Sequence, residues 1–84
     1  MKALITGGAG FLGQRLAKKL LATGTLKNAS GQDEKIERLV LLDVVPAPVS
    51  DDPRVDILTG DVLDAELLKR AIDSATGCIF HLAA

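Results

Sequence analysis

Four glycines fall within the nine residues ITGGAGFLG, positions 5 to 13, directly after an apolar run. Gly8-x-Gly10-x-x-Gly13 has the spacing of a dinucleotide-binding loop, and Gly7-x-x-Gly10-x-x-Gly13 can be read in the same residues. Such a loop does its chemistry with backbone alone. Its first glycine turns through a positive φ that a Cβ would oppose. Gly10 lets the chain approach a pyrophosphate, and Gly13 lets the following helix sit close to the sheet. The first N–H groups of that helix are unpaired and carry partial positive charge, where phosphate oxygens would lie. The plainer alternative is a glycine turn with no ligand. The buried strand before the loop and the amphipathic helix after it favour the cradle.

Two acids extend the site. Asp43 closes the run LVLLD, where a carboxylate accepts hydrogen bonds from both hydroxyls of an adenosine ribose. It stands 30 residues past Gly13, against the ~20 usual for this motif; the polar stretch 25–37 accounts for the difference. A carboxylate there repels a 2′-phosphate, and Val44 and Val45 follow it rather than Lys or Arg, which selects NAD over NADP. Asp61, in TGDVLD, follows the third strand, where it reaches the adenine amine with Val62 against the ring. Gly-Asp is also ordinary turn chemistry, and that alternative stays open. His81 has no acid or second ligand at metal spacing and reads as a packed strand residue. Cys78 reads as a small core residue, and Asp51 and Asp52, among prolines, as a solvated loop. No catalytic residue and no metal ligand is assigned.

The elements that must position these residues follow from the hydrophobic pattern. KALIT, 2–6, is a short buried strand with a glycine stop. From Phe11 the period becomes helical: Leu12, Leu16 and Leu20 recur with Ala17 and Leu21 beside them, and Gly24 ends the helix. The stretch 25–37 is polar and aperiodic, an exposed loop. LVLLD, 39–43, is a strand covered on both faces. The proline-rich stretch 46–53 is a loop, and VDILT, 55–59, a third strand. A second amphipathic helix, N-capped by Asp64, places Leu67, Leu68, Ala71, Ile72 and Ala75 on one side and ends at Gly77. CIFHL, 78–82, is the fourth strand. Strand, helix, strand, strand, helix, strand predicts an α/β fold, the N-terminal half of a Rossmann-type, doubly wound parallel sheet with helices on both faces.

Composition excludes several functions. With 84 residues there is one small domain, and 2% aromatic residues leave an aliphatic core. Ten basic residues against eleven acidic ones form no patch for a nucleic-acid backbone. One cysteine permits no internal disulfide and suits a reducing, cytoplasmic setting. No apolar run approaches the ~20 residues of a membrane span.

With TGGAGFLG, LLD, GDV and HLAA in this order, the chain resembles the N-terminal part of an extended short-chain dehydrogenase/reductase, the NAD-dependent epimerase/dehydratase family. The resemblance covers essentially the whole chain. It implies NAD contacts from Gly7, Gly10, Phe11, Leu12 and Gly13, from Asp43 to the ribose, from Asp61 and Val62 to adenine, and from Leu82, Ala83 and Ala84 of HLAA. The polar loop before the second strand, and LLDV followed by prolines, are similar to the D-erythronate dehydrogenase-like branch, whose substrate is a small sugar acid. Nucleotide-sugar epimerases and dehydratases share all four motifs. The family implies hydride transfer on a sugar-derived substrate and a homodimer.

The family's Tyr-x-x-x-Lys pair is missing, since the sequence has no tyrosine. The strand 78–82 would also lie at the sheet edge, apolar and without protecting charges or proline. Residues 1–84 are therefore expected to be an incomplete dinucleotide-binding domain, the first piece of a longer enzyme whose catalytic and substrate-binding part lies elsewhere. A non-catalytic dinucleotide-binding regulatory module and an inactive truncated remnant stay open as alternatives.

Overall fold

Side chains alternate across a strand, and in this chain both faces of the central strands are aliphatic. In the computed structural model, which describes residues 1–82, β1 (Lys2–Thr6) and β4 (Arg38–Asp43) are neighbours in a four-stranded sheet. The order is β5-β4-β1-β6, with β5 spanning Val55–Thr59 and β6 Thr76–His81, and every pairing is parallel. Ala3, Ile5, Leu39 and Leu41 face α1 (Phe11–Thr23) and meet its Ala17 and Leu20. Leu4, Val40 and Leu42 face the other way and meet Leu67 and Ala71 of α2 (Ala65–Ala71). The expected parallel sheet with a helix on each face is present.

The details depart from expectation in four places. The stripe expected on α1 holds except at its start: Ala17 and Leu20 are buried and Leu16 and Leu21 pack beside them, whereas Leu12 is 65% exposed and Gly13 is buried instead. The cause is the close seat of Gly13 on the glycine loop, which turns Leu12 outward. Gly24 does end α1, in the left-handed region at φ 78°, its N–H donating to the Leu20 carbonyl.

The stretch 25–37 is not a plain loop. β2 (Thr25–Lys27) and β3 (Asp33–Lys35) pair antiparallel, and Ile36 beyond them is fully buried. The signal was the turn Asn28-Ala29-Ser30-Gly31. The Asn28 carboxamide oxygen accepts from the Ser30 and Gln32 N–H groups, and Gly31 supplies φ 77°.

The second helix is shorter than expected. It stops at Ala71, and Gly77 sits inside β6 rather than ending the helix. Asp73 and Thr76 build the turn between: the Asp73 carboxylate accepts from Ala75 N–H, and the Thr76 hydroxyl accepts from Asp73 N–H. Ile72 and Ala75 are thereby exposed. At the other end Asp64 caps α2 as expected, accepting from the Glu66 and Leu67 N–H groups.

The prolines of 46–53 lie in irregular chain, but the two acids there differ. Asp51 is exposed. Asp52 instead pairs with Arg54 through both carboxylate oxygens, and Arg54 also donates to the Leu21 carbonyl near the end of α1. Among the described residues no helix is long and apolar enough to cross a membrane.

Candidate cofactor site

All four strands of the sheet run the same way, so their carboxyl ends gather at one edge. The chain leaves β1 and crosses to β4 and β5 on one side, then returns to β6 on the other. The crevice above such a reversal is where open α/β sheets take ligands.

The glycine loop leaves β1 there and is tied down on several sides. The Gly7 and Gly8 N–H groups both donate to the Leu42 carbonyl, at 2.8 and 3.1 Å. Gly10 N–H donates to the Gly7 carbonyl, and the Gln14 side-chain amide donates to the Gly8 carbonyl at 2.6 Å. The positive φ of 76° is at Gly7, which makes Gly7 the turning glycine of the two candidate spacings. Gly8 approaches β4 so closely that a Cβ there would stand 2.8 Å from the Leu41 Cβ. Gly13 packs on the loop itself. A Cβ on it would overlap the Gly7 carbonyl oxygen and lie 2.9 Å from the Gly8 Cα.

α1 begins at this loop with its N-terminus free for an anion. Gly10 is the N-cap, no side chain caps the helix, and no acid occupies its first turn. The positive end of the helix thus has no capping oxygen and no acid of its own first turn to neutralise it.

Asp43 ends β4 beside the loop. Its Oδ2 accepts from Ala9 N–H at 3.0 Å and its Oδ1 from Val44 N–H at 2.7 Å. Asp61, beyond β5, accepts from Leu63 N–H at 2.8 Å and is exposed. A cleft of about 390 Å³ opens between these groups, lined by Gly7, Gly10, Asp43, Val44, Asp61, Val62 and Leu82. Six residues expected from the sequence thus meet in one cleft. Phe11 and Leu12 are not in its wall. They stand exposed on the first turn of α1, with the Arg15 guanidinium 5.4 Å from the Phe11 ring centre. Gly13 is buried beneath the loop. Ala83 and Ala84 lie outside the described residues.

Val44 was missed as a lining residue. Its one signal was its place directly after the strand-end acid, apolar and 66% exposed. His81 is not packed as the sequence suggested: it is exposed at the end of β6, with Nδ1 2.6 Å from the Thr6 hydroxyl. Cys78 is half-buried in β6 rather than in the core. The groups present fit an anionic dinucleotide: a glycine loop with no side chain at Gly7 or Gly10, an uncapped helix start whose N–H groups can donate, and two carboxylates set back from it that can accept.

A model of the 3-beta hydroxysteroid dehydrogenase/isomerase family matches residues 4–84. The chain is 57% identical over its full length to D-erythronate dehydrogenase from Cupriavidus necator, covering 26% of that protein. It is 45% identical to D-erythronate dehydrogenase from Haemophilus influenzae, again over the full chain and 24% of the relative. The chain therefore spans about a quarter of the length of these curated relatives. Among solved structures, dTDP-glucose 4,6-dehydratase from Streptomyces venezuelae with NAD bound superposes with a TM-score of 0.77 at 33% identity. That match covers the whole of this chain and 26% of the other.

Proposed function

This chain belongs to the 3-beta hydroxysteroid dehydrogenase/isomerase family, and on that premise we propose that residues 1–84 form the cofactor-binding part of an NAD-dependent dehydrogenase acting on a small sugar acid. The observation that carries the reading is the meeting of the glycine loop, Asp43 and Asp61 in one cleft at the carboxyl ends of parallel strands. The 57% identity to D-erythronate dehydrogenase supports the choice of substrate class.

In this reading the pyrophosphate lies over Gly7 and Gly10 against the start of α1, where N–H groups and the helix dipole meet its charge. Asp43 accepts from the ribose hydroxyls through its remaining lone pairs. Val44 and Val62 hold the adenine ring between them, and Asp61 accepts from its amine. Leu82 borders the cofactor, Phe11 and Leu12 flank it from the first turn of α1, and Gly13 keeps α1 close enough for its N-terminus to reach the phosphates. Held there, NAD would supply the acceptor for a hydride from the substrate carbon. With no tyrosine in the chain, the group that takes the hydroxyl proton belongs to residues outside 1–84, in a longer protein that works in the cytoplasm as a homodimer.

The test is oxidation of D-erythronate by the full-length protein with NAD, compared with a panel of nucleotide sugars. Turnover of the sugar acid alone is expected. Turnover confined to nucleotide sugars would replace the substrate assignment.

A further inference from the structure

Asp43 is bound to the loop whose ligand it helps to hold. The register of the sheet sets Thr6 opposite Leu42, so Asp43 is level with the start of the glycine loop, and its Oδ2 accepts from the Ala9 N–H at 3.0 Å. Ala9 lies between Gly8 and Gly10, in a stretch where glycine makes ordering the backbone costly. Among the described residues two side chains hydrogen-bond to this loop: Gln14, reaching the Gly8 carbonyl from α1, and Asp43, reaching Ala9 from the neighbouring strand. Of the two, Asp43 is the one that carries charge, and hydrogen bonds to a charged acceptor are the stronger kind. The second oxygen is fixed as well, by Val44 N–H at 2.7 Å, so the carboxylate keeps one orientation.

We propose that Asp43 is a positioning residue for the pyrophosphate cradle, acting through the Ala9 N–H, in addition to its contact with the ribose. The proposal rests on the cleft being a dinucleotide site. Holding the loop in its bound shape lowers the ordering cost of binding any pyrophosphate-containing ligand. Removing the carboxylate therefore weakens even a ligand that has no ribose hydroxyls for Asp43 to touch.

The experiment pairs a change in the protein with a change in the ligand. Affinities for ADP and for 2′,3′-dideoxy-ADP are measured on full-length wild-type, Asp43→Ala and Asp43→Asn proteins, along with hydrogen exchange of the Ala9 amide in the ligand-free state. Asp43→Ala is expected to weaken dideoxy-ADP roughly 10-fold, the loss of one hydrogen bond to a charged acceptor, and to speed exchange at Ala9. Asp43→Asn keeps one acceptor oxygen and is expected to lose less, and it carries the test alone should the alanine variant fail to fold. Unchanged dideoxy-ADP affinity and unchanged Ala9 exchange, with ADP weakened, would overturn the positioning role while leaving the dinucleotide reading in place. Wild-type protein that binds neither ADP nor NAD would remove both.

Discussion

Gly13 sits directly beneath Gly7, so close that a Cβ on Gly13 would overlap the Gly7 carbonyl oxygen and stand 2.9 Å from the Gly8 Cα. Helix start and glycine turn are thus one packed unit. Gly13→Ala must push α1 away from the loop or distort the turn. Overpacking of this kind costs about 1–3 kcal/mol. The variant is expected to unfold at lower denaturant concentration with an unchanged slope, and to bind NAD more weakly than wild type. Chemical denaturation and cofactor titration of the same preparation check both.

The hairpin β2–β3 depends on Asn28. Its side-chain oxygen accepts from Ser30 N–H at 2.9 Å and from Gln32 N–H at 3.1 Å. Asn28→Ala removes both and is expected to cost about 1 kcal/mol. Hydrogen exchange should rise at Ser30 and Gln32 while the amides of β1 and β4 keep their protection.

Part of the acid sensitivity should trace to Asp52, along with Glu34 and Asp73, whose carboxyls are also lowered by hydrogen bonds from the N-terminus and from Lys2. Paired with Arg54 at 2.6 Å, the Asp52 carboxyl is held down to about 2 from the usual 3.8, first by the hydrogen bonds from Arg54 and then by its charge. A depressed carboxyl stabilises the fold above its unfolded pKa, and that contribution is lost as pH falls through the folded one. The stabilisation is thus complete above about pH 4 and disappears toward pH 2. The pair is partly exposed to solvent, so the effect is small and shrinks with salt. Asp52→Asn should reduce, without abolishing, the dependence of unfolding on pH in that window, as measured by denaturation at stepped pH.

The parts of the fold legible in the sequence were those where one physical rule acted alone. β1 and β4 are aliphatic because the sheet is covered on both faces, and such runs are read directly. α1 ends where Gly24 adopts a positive φ. The hairpin was hidden because its strands are three residues each and mostly polar, with Leu26 and Ile36 as their few apolar anchors. The end of α2 was misplaced because glycine is a familiar helix stop. Gly77 instead serves a contact: a Cβ there would stand 3.1 Å from the Met1 sulfur, a long-range neighbour no local pattern reveals. In the cleft, Asp43 and Asp61 were found by their positions at strand ends. Val44 was not, since a single exposed valine carries no pattern, and the bond from Ala9 to Asp43 depends on register between strands far apart in sequence.

We propose that Asp43 makes this a site for NAD rather than NADP. Titration of full-length wild-type and Asp43→Ala protein with NAD and with NADP tests it most directly. Wild type is expected to bind NAD in preference to NADP. The variant should lose roughly 10- to 150-fold in NAD affinity, from about 1.5–3 kcal/mol of charge-assisted hydrogen bonding, and most of its discrimination against NADP. Equal NAD affinity in the two proteins, or a wild type that prefers NADP, would contradict the assignment.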